Sequence, residues 1–359
     1  MKICILSTVD LSRMTMLSLY TNYFEKNKIK YDIICANKYD DNYLETANKI
    51  YEFDAKKTIN SNVFAKLAHF WKMRNFAKKI IDNNKYDYII VWNQVTAFIF
   101  SDILIKQYRK KYCINVRDYH YDDNPLIKYR ITPAIREADF NTVSSEAFKK
   151  FLPDGEYLTI HSLNKKMLNQ LEPRNHYRSV NEKINILNIG QIRWPENIFP
   201  MIEELKNDSR YIMTFVGQGS HVIEEYIKGR HIENVIVHGR FEPIETIKYL
   251  KDADILFNLY GTGNLHVDTA LSIKLYYAIY LNIPILTYNG TYIGEVSNTL
   301  GIGYCISKNS FEGLADNLHN WYHTRDINYI KETCSNFIEE IEQSHEKLYR
   351  RLDEILAKS

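Results

Sequence analysis

Two hydrophobic rhythms alternate along the chain. Short runs of four to seven residues, rich in Ile, Val and Tyr, are followed by longer stretches whose apolar positions recur at helical spacing. In the first half the runs are KICILST (2–8), YDIIC (31–35), YIIVW (88–92), YCINVR (112–117), FNTV (140–143) and YLTI (157–160). In the second half they are INILNI (184–189), IMTFV (212–216), VIVH (235–238), ILFNL (255–259), IPILT (283–287) and GYCI (303–306). Several are apolar without interruption, as strands covered on both faces of a parallel sheet must be. The alternation of strand and helix predicts βαβ units and an α/β fold of two Rossmann-like domains.

The stretch KKMLNQLEPRNHYRSVNEK (165–183) breaks the rhythm with polar residues and a proline, and is read as the linker. It divides the chain into an N-terminal domain, 1–165, and a C-terminal domain, 166–325. The tail, 326–359, reads as helical and is expected to pack along the outside or back onto the first domain. In open α/β sheets ligands lie beyond the carboxyl ends of the strands. Two such sheets facing across a cleft would place the chemistry there.

Composition narrows the class. At 359 residues the chain is long for one core and comfortable for two domains. Its 45% hydrophobic and 25% charged residues are those of a globular protein. A net charge of +2 provides no global field toward nucleic acid, so none is expected as a partner. Cys4, Cys35, Cys113, Cys305 and Cys334 lack metal-ligand spacing and read as small thiols in a reducing compartment. The N-terminal apolar run is too short for a signal peptide, and no stretch approaches the ~18 apolar residues of a membrane span. A cytoplasmic protein is expected, with membrane contact only at its surface. One segment suits such contact: SNVFAKLAHFWKMRNFAKK (61–79) holds five Lys/Arg and no acid. On a helix, Val63, Leu67, Phe70 and Ala77 share a face, Lys72 and Lys79 lie opposite, and Arg74 and Lys78 intrude on the apolar side. It is either a packed helix with a basic outer face or a surface that lies on anionic headgroups.

The second half carries the informative loops. INILNI ends in GQIRWPEN (190–197), where Gly190 permits a tight turn and Arg193 can fork two phosphate oxygens or stand as an ordinary surface arginine. TFVGQGS (214–220) ends a strand in Gly217-x-Gly219 before a helical stretch, a turn that can expose backbone N–H groups to an anion. The third glycine of a dinucleotide fingerprint is missing, which disfavours NAD. VIVHGRFEP (235–243) supplies Gly239 and Arg240. The loop from Tyr260 and Gly261 through Asn264, His266, Asp268 and Thr269 is glycine-rich and polar, and the helix SIKLYYAIYL follows. Lys274 falls in its early turns. A cation there opposes the helix dipole, so Lys274 is either a solvated helix end or the partner of a bound anion.

In order, NIGQIR, FVGQG, VHGRFEP, KDADILFNLY, IKLYYAIYLNIPIL and EVSNTLGIGYCI make the second half resemble the donor domain of GT-B glycosyltransferases. The similarity, over roughly 184–306, is to the large retaining family 4 and its capsular and exopolysaccharide relatives. What the resemblance implies is a GT-B fold and a nucleoside diphosphate-sugar donor, with UDP the commonest nucleotide of the family. Gly190 and Arg193 would meet the diphosphate and Lys274 would be the second cation. The backbone after Gly239 would hold the base, and Glu295 would lie near the ribose or sugar. Many family members carry two glutamates eight residues apart in this helix region, and those positions here are Thr269 and Tyr277. The carboxylate expected to grip ribose hydroxyls is replaced by a tyrosine hydroxyl, which can bond one of them. DAD (252–254) matches a metal-sugar motif of a different glycosyltransferase fold. It precedes ILFNL at its amino end, however, and reads as structural. With no His/Cys cluster either, no metal or cofactor is expected.

The first half resembles the family less closely. STVDLSRMT (7–15) follows the first strand, and Asp10 and Arg13 are candidates for acceptor or donor contacts, with a helix cap by Asp10 or Ser12 the simpler reading. NVRDYHYDDNP (115–125) bunches Asp118, His120, Asp122 and Asp123 at a strand end. His120 is the first choice for the base that accepts an acceptor hydroxyl's proton, and Asp118 the second, as base or as orienting partner. In ADFNTVSSEAFKKFL (138–152), Ser144 or Ser145 reads as a helix cap. The whole predicts a transferase moving a sugar to a hydroxyl of a surface glycan or lipid-linked oligosaccharide. Two rivals are a nucleotide-sugar epimerase, for which Asp118 and Asp122 would supply acid/base carboxylates, and a non-catalytic partner subunit with a degenerate donor site.

Overall fold

The structure, a computed structural model, describes residues 1–39, 43–56, 63–120 and 123–357, with side chains of the helix Val63–Asn84 described from 68 onward. Asp122 and residues 61–62 lie outside the described residues. The chain divides into two compact units. One is Met1–His161 together with the chain from Glu342, and the other is Ser162–Ile341.

The first unit holds a seven-stranded sheet: β1 (Ile3–Ser7), β2 (Tyr31–Asn37), β3 (Lys49–Asp54), β4 (Tyr88–Trp92), β5 (Tyr112–Val116), β6 (Phe140–Val143) and β7 (Tyr157–Thr159). Its order is β3-β2-β1-β4-β5-β6-β7, with parallel pairing between neighbours. The second unit holds six strands: β8 (Ile184–Ile189), β9 (Tyr211–Val216), β10 (Val235–His238), β11 (Ile255–Phe257), β12 (Ile285–Tyr288) and β13 (Gly303–Ile306). Their order is β10-β9-β8-β11-β12-β13, also parallel. Each sheet therefore grows outward in both directions from its first strand, with a topological switch between β1 and β4 and another between β8 and β11.

Alternation along β8 explains why that sheet is buried on both sides. Ile184 and Ile186 enter one apolar cluster, with Met213 and Phe257, while Leu187 and Ile189 enter the other, with Leu275 and Ile279. One strand departs from the sequence expectation: KIYEFD forms β3. It is an edge strand, half exposed, with alternating charged residues, and so lacks the continuous apolar signature of its neighbours.

The stretch 165–183 is packed. Lys165–Leu168 makes one helical turn, Leu168 and Leu171 sit in the second unit's core, and Arg174 N donates to Leu281 O at 2.8 Å. The tail is a 31-residue helix, Ile327–Ala357. Its Ile330, Cys334 and Ile341 belong to the second unit's core, whereas Leu348, Leu352 and Ile355 belong to the first unit's core. The serines of 138–152 do not cap as expected. Ser144 Oγ donates to Arg117 O at 3.1 Å, and Ser145 precedes a short 3-10 turn, Glu146–Lys150, without a side-chain cap.

Candidate active site

The carboxyl end of the second sheet is laced together by its loops. Gly190 N donates to Val216 O (2.9 Å), Ile192 N to Gln218 O (2.9 Å) and Gly217 N to His238 O (3.2 Å), so the turns after β8, β9 and β10 form one surface. The approach of backbone to backbone requires glycine at 217. A Cβ there would lie 1.8 Å from Gly190 O, and its φ of 139° suits no other residue. With its N–H spent on His238, Gly217 is a strap between loops rather than an open anion turn. Gly219 packs over Ile192 O, and the helix that follows, His221–Ile227, is only seven residues long.

Lys274 lies at the switch point. Ser272 caps the helix Ile273–Leu281 by accepting from Lys274 N, and from the second helical position the Lys274 side chain runs under the strand ends. Its Nζ donates to Asn188 Oδ1 (2.7 Å), in β8, and to Phe257 O (2.9 Å), the last residue of β11. Leu187 and Leu256 are partners in the β8–β11 register, so the ammonium bridges the next step of that pair. The residue is 1% exposed. Among the described residues no carboxylate forms an ion pair with it, and its Nζ lies 4.7 Å from the centroid of the Tyr260 ring. It is therefore no solvated helix end. A buried cation held by two neutral acceptors and an aromatic face retains an unneutralised charge where an open α/β sheet binds its ligand. Asn258, next in sequence after β11 and 5% exposed, leaves its Oδ1 without a hydrogen-bond partner among the described residues.

Arg193 is exposed. It grips Gln191 Oε1 through Nε (3.0 Å) and Nη2 (2.7 Å), and its guanidinium lies over Trp194 at 5.9 Å. The Trp194 ring meets Tyr260 at 5.3 Å and His266 at 6.2 Å. Trp194 and Asn188 were not among the residues singled out from sequence; both belong to the same cation-flanked cluster. Asn264 is the N-cap of Leu265–Thr269, accepting from His266 N (2.8 Å), and Asp268 accepts from Gly263 N. Thr269 is buried and bonds Leu265 O. Gly261 lies against Asn197 Nδ2. Tyr277 shares the helix face of Lys274 at i+3, is buried, and its hydroxyl is pushed up to about 12 by that burial, so it stays neutral and can donate. Glu295 is exposed in the first turns of Tyr292–Thr299, capped by Thr291. Gly239 and Arg240 are exposed at the end of β10, with open space around Gly239.

In the first unit, Asp10 caps no helix by its side chain. It is buried, and its Oδ1 accepts from Lys38 N at 2.5 Å, tying the loop after β1 to the end of β2. Arg13 donates to the Tyr39 hydroxyl at 3.0 Å and borders, with Asp10, Lys38, His69 and Phe70, a pocket of about 160 Å³ beyond the carboxyl ends of β1 and β2. Burial, then the nearby Lys38, lowers the His69 imidazole below its ordinary range. Asp118 and His120 are half-buried in the loop after β5. Asp118 O accepts from Gln94 Nε2, and its Oδ1 from Tyr119 N (3.0 Å).

The DAD carboxylates lie elsewhere. Asp254 is buried at the amino end of β11, where it accepts from Asn185 N and Arg178 Nε, each at 2.9 Å. Among the described residues no three His, Cys, Asp or Glu side chains gather closely enough to hold a metal ion.

Two doubly wound parallel sheets, with a buried lysine beneath one switch point, define an α/β protein of the open-sheet class, whose ligands lie beyond the strand ends. Residues 169–344 match the family described as glycosyl transferases group 1, and this stretch of the chain is a domain of that family. The whole chain superimposes on solved structures of GT-B glycosyltransferases. Sucrose-phosphate synthase from Thermosynechococcus elongatus matches with a TM-score of 0.73 at 12% identity, covering 100% of both chains. The E. coli trehalose-6-phosphate protein bound with UDP-2-fluoro glucose matches at 0.70 and 8%, covering 99% of each. The lipopolysaccharide outer core galactosyltransferase WaaB matches at 0.65 and 13%, covering 100% of this chain and 99% of that one. The fold is GT-B. No curated protein matches the chain.

Proposed function

We propose that the protein transfers a sugar from a nucleoside diphosphate-sugar, a UDP-sugar by default, to a hydroxyl of a surface glycan or lipid-linked oligosaccharide. The observation that carries this reading is the buried, unpaired Lys274 at the β8–β11 switch. A diphosphate supplies the missing counter-charge, and the same ammonium stabilises the leaving nucleoside diphosphate as the glycosidic bond breaks. Arg193, exposed one loop away, is the second cation, and the open backbone at Gly239 has room for a base. Tyr277 offers one hydroxyl to the ribose. Asn258 Oδ1 is an acceptor for a ligand hydroxyl, and Glu295 stands near the ribose or sugar. His120, with Asp118 in the same loop, takes the acceptor's proton; Arg13 and the pocket beside Asp10 belong to the acceptor side. The chemistry is positioning and leaving-group stabilisation by these side chains.

A membrane-facing acceptor fits a second feature of the first unit. Trp71 is 63% exposed on the helix Val63–Asn84, beside exposed Lys72. Arg74 is turned inward to Asp102 at 2.5 Å, which accounts for its intrusion on the apolar face. No helix among the described residues is long and apolar enough to cross a membrane, so contact would be peripheral.

The test is a thermal-shift panel of UDP, GDP, CMP and dTDP on wild type and Lys274→Met. A ligand that binds only the folded state stabilises it by about 2.7 kcal/mol at 100 times its Kd, and the midpoint rises accordingly. One nucleoside diphosphate is expected to shift the wild type, and the shift to vanish in the variant. The apo stability should change by under about 1 kcal/mol, because losing the ammonium's two hydrogen bonds offsets the relief of a buried charge. If no nucleotide moves the wild type, the donor site does not exist.

A further inference from the structure

Trp194 is held in an unusual place. Its backbone is left-handed, φ 52° and ψ 58°, a conformation that bulky side chains rarely adopt. Pro195 follows and disfavours the right-handed helical region for the residue before it, and Asn197 N closes the turn on Trp194 O at 2.9 Å. The strained turn keeps the indole out of the core. It stands half-buried over the switch point, inclined 52° to Tyr260 with centroids 5.3 Å apart. Each ring of this pair carries one of the two cations: Arg193 lies over the indole and Lys274 over the phenol. Backbone strain kept at a ligand-side loop points to a use for the side chain it displays.

We propose that Trp194 and Tyr260 form an aromatic ledge that receives the C–H face of the donor's sugar, selecting a neutral pyranose with an uninterrupted apolar face. This rests on the donor-site reading above and adds which part of the donor meets which residues. The strand order β10-β9-β8-β11 decides the assignment. With the base over the open backbone at Gly239 beyond β10, and the diphosphate over β8 between Arg193 and Lys274, the remaining end of the donor falls on the β11 side, where Trp194, Tyr260 and His266 cluster. The hydrogens on a pyranose face are weakly positive and pack on a π surface, while its hydroxyls point outward to polar groups. Asn258 Oδ1, buried and without a partner among the described residues, is one such acceptor at the same strand end.

The experiment uses the full chain and calorimetric titration. The nucleoside diphosphate that shifts the wild type is titrated alone and as its glucose, galactose, mannose and N-acetylglucosamine esters, into wild type, Trp194→Ala and Trp194→Phe. At least one ester should bind the wild type more tightly than the bare nucleotide. Trp194→Ala should weaken that ester about tenfold, Trp194→Phe should restore most of the loss, and the bare nucleotide should change less than about threefold in either variant. Should the alanine variant not fold, indole emission decides: the best ester should quench wild type more than the nucleotide does, and Trp194→Phe should abolish the difference. Equal losses for nucleotide and ester would assign the indole to the base or phosphates and overturn the ledge. So would an absence of any ester preference in a wild type that binds nucleotide, which leaves the donor site standing. A wild type that binds no nucleotide removes both.

Discussion

Gly217 and Gly239 look alike in the chain, each ending a strand in front of a loop, yet only one is sterically committed. A Cβ at 217 meets the Gly190 carbonyl at 1.8 Å with φ in the left-handed region, whereas a Cβ at 239 meets nothing within 4 Å. Gly217→Ala must move one loop or the other, and its cost should exceed about 3 kcal/mol in urea denaturation, beyond the usual range for a point change. Gly239→Ala should cost under about 1 kcal/mol. Comparable losses would mean that the loops are not laced as described. Lys274 was legible as a candidate partner for an anion because its position in the helix opposes the dipole. Its burial was not, because that depends on Asn188 and Phe257 arriving from two strands some 86 and 17 residues away in sequence. Trp194 is illegible in the sequence for a similar reason: an indole in a loop has no periodicity, and its placement depends on a backbone angle and on Tyr260.

Elements were more legible than residues. Buried strands such as β4 announce themselves by uninterrupted apolar runs, while β3, half exposed at an edge, does not. The C-terminal helix was legible as a helix, but what it touches was not, since a 3.6-residue stripe names no partner. One contact of that helix titrates. His345 Nε2 lies 3.1 Å from His161 O, at the last residue before the chain leaves the first unit. Burial, then His345 and Arg117, lowers His161 to about 4; burial, then Arg117, lowers His345 against the opposing pull of its hydrogen bond to the His161 carbonyl and of Glu342 and Glu346. Both folded values lie below the ordinary imidazole value of 6.5, so as the pH falls through that value toward about 4 the unfolded chain takes up protons first. Stability held at pH 7.5 is therefore lost on acidification. Urea midpoints of wild type should drop between pH 7 and 4.5 more steeply than those of His345→Gln, which retains a donor but cannot titrate. Parallel pH profiles would remove the His345 imidazole from the acid response.

The whole molecule is threaded so that one unit is continuous in sequence and the other is not. Ser162–Ile341 is uninterrupted, but the first unit closes only when the chain returns at Glu342. That return brings Leu348, Leu352 and Ile355, each at most 6% exposed, into a core with Phe24, Ile33 and Phe140. It also stacks Tyr349 on Tyr23 at 5.5 Å and pairs Arg351 with Asp139 at 3.2 Å. Three buried aliphatic side chains are worth about 4.5–9 kcal/mol together, which is comparable with the about 5–15 kcal/mol that holds a whole domain. The last turns of the helix thus complete the unit that carries Asp118 and His120, although more than two hundred residues separate them. A chain ending at Ile341 should keep its second unit and lose its first. Hydrogen exchange should show protection retained at β8 and β11 and collapsed at β1 and β2, with nucleotide binding preserved and transfer abolished. Persistent protection of β1 in the truncated chain would mean that the first unit folds without its closing helix.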